Sequence, residues 1–278
     1  MKKIIIICIA AFAIVACAKK NVSYYIVNGN KYLTEKKINS AIQEFSSALK
    51  IEPQNPQAYY YRAIAYSLDK KPDSAIDDYT SVLKLNNKYP SAYCNRGFIY
   101  LYNNKRLGLA FSDFTSEIRN NPKSFDSYYG LGLVYYYKDS FSLAQKNLDR
   151  AIQLDSTIAL AYFWRGNSYM LQKKCKIAIK DYTKSLTLDP AYAEAYNRRG
   201  SCYSVVGDTI LAMNDYNTGL KINPTNGNIY MSRASLYYNL GEKDKSITDY
   251  KKAVDLGIID GSKDLKELYN IDYKAGKR

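Results

Sequence analysis

Six hexapeptides, AYYYRA (58–63), AYCNRG (92–97), SYYGLG (127–132), AYFWRG (161–166), AYNRRG (195–200) and IYMSRA (229–234), follow one another at steps of 34, 35, 34, 34 and 34 residues. A fixed period of this length means one supersecondary unit stacked on copies of itself, because so short a unit cannot bury its own apolar face. Extending the frame backwards adds a seventh copy around residues 25–29. The units then start at 22, 56, 90, 125, 159, 193 and 227.

Within each unit one position is always tyrosine: Tyr25, Tyr59, Tyr93, Tyr128, Tyr162, Tyr196 and Tyr230. Tyrosine returns seven residues later, as Tyr32, Tyr66, Tyr100, Tyr135, Tyr169, Tyr203 and Tyr237. Two helical turns separate them, so both lie on one helix face. Between them stands glycine or alanine, such as Gly166 or Ala63, where two helix backbones approach. A second helix carries a small residue (Ala41, Ala75, Ala110, Ala144, Ala178, Ala212, Ser246) and, four places on, a large one (Phe45, Tyr79, Phe114, Leu148, Tyr182, Tyr216, Tyr250). Gly207-Asp208 and Gly241-Glu242 mark turns between the two helices, while Pro53, Pro122, Pro190 and Pro224 close the second.

Over residues 22–257 this pattern resembles the tetratricopeptide repeat family. The resemblance implies an all-α fold, an α-solenoid of about seven helix-turn-helix units. Asn87, Ser156 and Ile258 replace the terminal proline, and one residue is inserted near 103–109. Residues 258–278 follow the last unit, and GSKDLKELYNIDYK (261–274) reads as a capping helix with Leu265, Leu268 and Tyr269 apolar.

The amino end is of another kind. Lys2 and Lys3 precede an apolar run from Ile4 to Ala16, too short to span a bilayer and patterned as an export signal. Ile14-Val15-Ala16-Cys17 resembles the lipobox of bacterial lipoproteins, which implies a signal peptide over 1–16, a lipid on Cys17 and a tether over 17–21. Ala18, where a retention aspartate stands in similar inner-membrane lipoproteins, points to the outer membrane facing the periplasm. Cleavage removes Lys2 and Lys3 and takes the formal net charge from +14 to +12. An exported basic chain rarely meets nucleic acid, so anionic envelope polymers or lipid headgroups are the alternative partners of its charge.

Most units carry arginine where the family usually has an apolar residue: Arg62, Arg96, Arg165, Arg199 and Arg233. The same units carry Asp78, Asp113, Asp181, Asp215 and Asp249 just before the large residue of the second helix, and the fourth unit has lost both charges, to Leu131 and Asn147. Joint loss predicts pairing inside each unit, since pairing between units would orphan two charges. Arginines gripping an external anion would instead point into the groove.

By the same resemblance, first helices line the concave side. Their groove positions hold few charges (Asp126, Glu194, Arg198) and many rings: Tyr60, Tyr61, Phe98, Tyr102, Tyr129, Tyr136, Tyr137, Phe163, Trp164 and, apart from these, Tyr238. Rings supply contact area at little entropic cost, which suits a peptide segment or partner protein. Units six and seven offer a polar end in Asn197, Ser201, Ser204, Ser232, Ser235 and Asn239. Asn30 and Asn167 lack the basic companions with which some relatives clamp a terminal carboxylate.

Enzymatic chemistry finds little support. The chain has no histidine, which removes the commonest general base and metal ligand. GLGLVY (130–135) falls inside a repeat helix with no strand before it, so it is no nucleotide loop. Cys94, Cys175 and Cys202 are odd in number and widely spaced, defining neither a disulfide framework nor a metal site. No cofactor, metal or small-molecule substrate is expected; the reading is a binding scaffold, with a basic convex surface for an envelope polyanion as the alternative.

Overall fold

A computed structural model describes residues 21–103 and 106–275; Cys17 and the signal lie outside the described residues. These residues form fifteen α-helices and no strand. None of the helices is long and apolar enough to cross a membrane. They divide into two compact units, one ending at Tyr89 and one beginning at Pro90.

The first unit contains α1 (Val22–Thr34), α2 (Ile38–Ile51), α3 (Pro56–Leu68) and α4 (Pro72–Leu85). The second contains α5 (Ala92–Asn103), α6 (Leu107–Asn120), α7 (Phe125–Tyr137), α8 (Phe141–Leu154), α9 (Ala159–Leu171) and α10 (Cys175–Leu188). It continues through α11 (Ala193–Val206), α12 (Thr209–Ile222), α13 (Gly227–Asn239), α14 (Lys243–Asp255) and α15 (Asp260–Tyr269). Odd-numbered helices up to α13 are the first helices of successive repeats. Several start on a side-chain cap, as where Asn55 accepts from the Ala58 N–H at 2.8 Å, and Pro53, Pro122, Pro190 and Pro224 each stand just beyond a second helix.

The small and large residues of the second helix make the core. Ala41, Ala75, Ala110, Ala144, Ala178, Ala212 and Ser246 are fully buried, and so are the large side chains four places on. Burying each such aromatic contributes about 2 kcal/mol. Close approach explains the glycine before them: a Cβ on Gly166 would lie 2.9 Å from the Tyr182 ring. Tyrosine hydroxyls in this core are satisfied from the first helix, Tyr182 by Asn167 at 2.8 Å and Tyr216 by Ser201 at 3.3 Å.

The turn between paired helices follows one rule that few of its residues advertise. The same repeat position is left-handed at Lys36 (φ 58), Lys70 (φ 55), Asp139 (φ 54), Lys173 (φ 60), Gly207 (φ 88) and Gly241 (φ 75). Only the last two have the residue that adopts this conformation freely.

Every arginine of the five units forks onto its own repeat's aspartate. Arg62 Nε and Nη2 donate to Asp78 at 2.7 and 2.8 Å, and Arg165 donates likewise to Asp181 at 2.9 and 2.6 Å. Arg96–Asp113, Arg199–Asp215 and Arg233–Asp249 have the same geometry. Each guanidinium also lies over at least one tyrosine of its repeat, Arg165 over Tyr162 (5.4 Å) and Arg199 over both Tyr196 (5.6 Å) and Tyr203 (5.8 Å). A third contact has no counterpart in the sequence pattern. Nη1 reaches the second helix of the preceding repeat, from Arg62 to Ser46, Arg165 to Asp149, Arg199 to Thr183 and Arg233 to Asn217. The arginines therefore tie repeats to each other as well as helices within a repeat.

In the fourth repeat Leu131 is buried and Asn147 donates to the Leu143 carbonyl, while Arg150 covers Tyr128 from the second helix. At the carboxyl end α15 buries Leu265 against Tyr250, Val254 and Ala234. Leu268 is exposed, contrary to its expected place in the cap's apolar side, because α15 presents Leu265 and Tyr269 inward and ends at the left-handed Asn270.

Candidate functional site

First helices of the second unit adjoin one another in the order α5, α7, α9, α11, α13, so their outward side chains form one wall. Repeat periodicity brings the aromatic positions of successive helices into contact along it. Phe98 stacks on Tyr102 at 5.8 Å and reaches Tyr129 at 6.3 Å. Trp164 meets Tyr136 at 5.0 Å and Tyr137 at 6.0 Å. Tyr129 stands between the two groups, buried on the same helix as Tyr136 and Tyr137. Burial and the neighbouring Tyr102 hold the Tyr129 phenol neutral, with its pKa well above the usual range.

The expected stripe of equivalent rings resolves into two classes. Tyr102 (57% exposed) and Tyr137 (41%) are open, and Phe98, Tyr136 and Trp164 are half-buried. Phe163 is only 3% exposed, wedged against Tyr192 at 4.7 Å, Trp164 at 5.5 Å and Tyr182 at 5.9 Å. Tyr129 is buried as well, with Phe125 stacked on it at 5.9 Å. These two are core, because the neighbouring repeat covers the side of the helix on which they stand. In the first unit Tyr60 packs on Tyr79 and Tyr89, and Tyr61 on Phe45, so both fill space between helices. Tyr238 contacts Tyr269 of the cap.

Polar wall positions divide in the same way. Asn167, Ser201 and Ser235 are engaged with the hydroxyls of Tyr182, Tyr216 and Tyr250, which leaves less of a polar end than expected. Arg198 is partly exposed beside Glu194, 2.9 Å away. Cys94 is buried, and desolvation pushes its thiol up to about 12 against the lowering effect of Ser127. Such a thiol stays protonated and unreactive at neutral pH. Gly130 and Gly132 lie inside α7.

Two features were not anticipated. Glu117 is buried at a position where other repeats place Ala48, Val82, Ala151, Ser185, Gly219 or Ala253, and its Oε2 has no hydrogen-bond partner. A cleft of about 580 Å³ in the first unit runs between α1 and the start of α3, with Asn30 and Glu52 in its lining and no lysine or arginine. Comparing the repeats position by position would have exposed the glutamate; the cleft had no sequence signal.

Models of one repeat family match the chain at several places: one described as TPR repeat over residues 29–69, and two described as tetratricopeptide repeat over 129–193 and over 193–226 with 227–256. No curated protein sequence matches it. Among solved structures, a tetratricopeptide repeat protein from Parabacteroides merdae superposes with a TM-score of 0.68 at 20% identity, covering 90% of this chain and 97% of that one. YrrB, described as a TPR protein with an unusual peptide-binding site, gives 0.55 at 21% identity over 68% of this chain and 97% of its own. A chain of the APC/C hetero-tetramer Cut9–Hcn1 gives 0.65 at 21% identity, covering 76% of this chain and 42% of that one, so the chain spans less than half of that relative. At these identities the likeness shows the fold.

Proposed function

Because the chain belongs to the tetratricopeptide repeat family, we propose that it is a non-catalytic protein-interaction scaffold whose aromatic wall holds a peptide segment of a partner at the bacterial envelope. The two ring clusters on successive first helices, Phe98 with Tyr102 and Tyr129, and Trp164 with Tyr136 and Tyr137, carry this reading. Open rings on rigid helices offer apolar area whose ordering has already been met by the fold, which is what an extended peptide needs in order to bind. Peptide binding by YrrB and hetero-tetramer assembly by Cut9–Hcn1 are consistent with a protein partner. Anchoring is inferred from the lipobox-like Ile14–Cys17 stretch, with periplasm-facing outer-membrane placement from Ala18. More than one acyl chain on Cys17 would hold the protein stably at a bilayer.

Titration of the mature protein with peptides selected from a phage-displayed library tests the wall, with Trp164, the only tryptophan, as fluorescent reporter. Selected peptides should carry apolar anchors, shift Trp164 emission and bind with Kd changing less than about threefold as salt is raised. Affinity that falls steeply with salt and ignores Tyr102→Ala with Tyr137→Ala would favour the polyanion reading instead. Cys17→Ser should release the protein from the membrane fraction; unchanged sedimentation would overturn lipid anchoring.

A further inference from the structure

Cys175 opens α10 and Cys202 lies in α11, so the two belong to successive repeats and look unrelated in sequence. In the fold both are buried in one apolar cluster with Phe163, Ala178, Tyr182 and Ala195, near enough for Cys175 to raise the pKa of the Cys202 thiol. Cys94 takes no part, since it lies in α5, two repeats away from Cys175. The pair is asymmetric in access. A surface cleft of about 370 Å³, lined by Lys173, Lys174, Lys176, Ile177, Val205 and Val206, has Cys175 in its wall, whereas Cys202 is fully buried behind it.

We propose that Cys175 and Cys202 form a redox pair that closes to a disulfide by exchange with an external disulfide, with Cys175 as the entry thiol and Cys202 as the resolving one. Deprotonated Cys175 attacks one sulfur of the incoming disulfide, forming a mixed disulfide and expelling the first oxidant thiolate. Cys202 then loses its proton and attacks the Cys175 sulfur, expelling the second thiolate. The protein loses two protons and two electrons, and the oxidant leaves as two thiols. Three lysines around the cleft favour an anionic oxidant such as oxidised glutathione. Burial pushes the Cys202 thiol well above its ordinary value, which makes the second step slow in the closed fold and places it during folding or an opening of the α10–α11 junction. Once formed, the bond ties the fifth repeat to the sixth directly beneath the Phe163–Trp164 part of the wall. The inference stands on the geometry of the pair and is independent of the partner-binding reading.

The test is to refold the reduced mature protein in excess oxidised glutathione, denature it, alkylate free thiols and map the peptides. Alkylation at Cys94 but at neither Cys175 nor Cys202, with a Cys175–Cys202 cross-linked peptide, is the expected result, and the cross-linked form should melt roughly 5 to 10 °C above the reduced one. Cys202→Ser should accumulate one glutathionyl group at Cys175, while Cys175→Ser should leave Cys202 unmodified in the folded protein. Free alkylation of both cysteines in the oxidised wild type, or a cross-linked form that melts below the reduced one, would overturn the proposal.

Discussion

Arg165 Nη1 donates to Asp149 Oδ1 at 2.7 Å across the junction between the fourth and fifth repeats, while its other two donor groups hold Asp181. One side chain thus joins α9 to both α10 and α8. The fourth repeat, which has no arginine–aspartate fork of its own, is tied to its successor through Asp149.

Removing this arginine should cost more than removing the charges together. Arg165→Ala leaves Asp181, only 8% exposed at its side chain, without a partner and should lose about 3 kcal/mol. Arg165→Leu with Asp181→Asn copies the fourth repeat and should lose about 1 kcal/mol, since no buried charge is orphaned. Urea unfolding of both variants measures the difference. Equal losses would mean that the fork is not a buried ion pair.

The arginine–aspartate forks could be read from the chain because the fourth repeat lost both members together, an internal comparison that distinguishes pairing within a unit from pairing between units. The third contact was hidden because its acceptors differ: Ser46, Asp149, Thr183 and Asn217 share a position but no chemistry obvious from the letters. The pattern placed the aromatic positions on the first helices, yet it did not separate Phe163 from Trp164. Adjacent residues on a helix point about 100° apart, and only packing of the next repeat decides which is covered. Cys175 and Cys202 meet across a repeat junction, a relation that spacing along the chain does not express.

Phe163 and the open rings should therefore behave differently. Phe163→Ala empties a packed site between Tyr182 and Tyr192 and should cost about 3 to 5 kcal/mol of stability. Tyr102→Ala with Tyr137→Ala should leave the melting temperature within a few degrees of wild type and weaken peptide binding about tenfold or more. Thermal melting and Trp164 fluorescence titration on the same samples separate the two effects. A stable Phe163→Ala protein would contradict its place in the core.

Lys70 and Lys173 hold left-handed backbone in turns where the last two repeats use Gly207 and Gly241. Replacing either lysine by glycine relieves a cost of about 1 kcal/mol, partly offset by the greater freedom of glycine when unfolded. Each substitution should stabilise by a few tenths of a kcal/mol, and the pair should add, because they lie in separate repeats. Chemical denaturation of the double variant is the check, and a loss of stability would show that the lysine side chains contribute more than the turn conformation costs.

Glu117 supplies the clearest pH dependence. Desolvation raises its pKa above the ordinary 4.5, against the lowering effect of backbone N–H groups of Ser91 and Cys94. A carboxyl whose folded pKa is raised contributes stability that is fully present below its unfolded pKa and is lost as pH rises through the folded one. Wild-type stability should therefore fall as pH climbs from about 4.5 towards neutrality. Glu117→Gln keeps an acceptor for the Ser91 N–H and removes the buried charge, so it should be about 1 kcal/mol more stable than wild type at neutral pH. That advantage should shrink as the solution is acidified towards the unfolded pKa, where wild-type Glu117 is itself neutral. Urea titrations of both proteins across this window measure the difference; a constant offset at every pH would show that Glu117 does not change ionisation with burial.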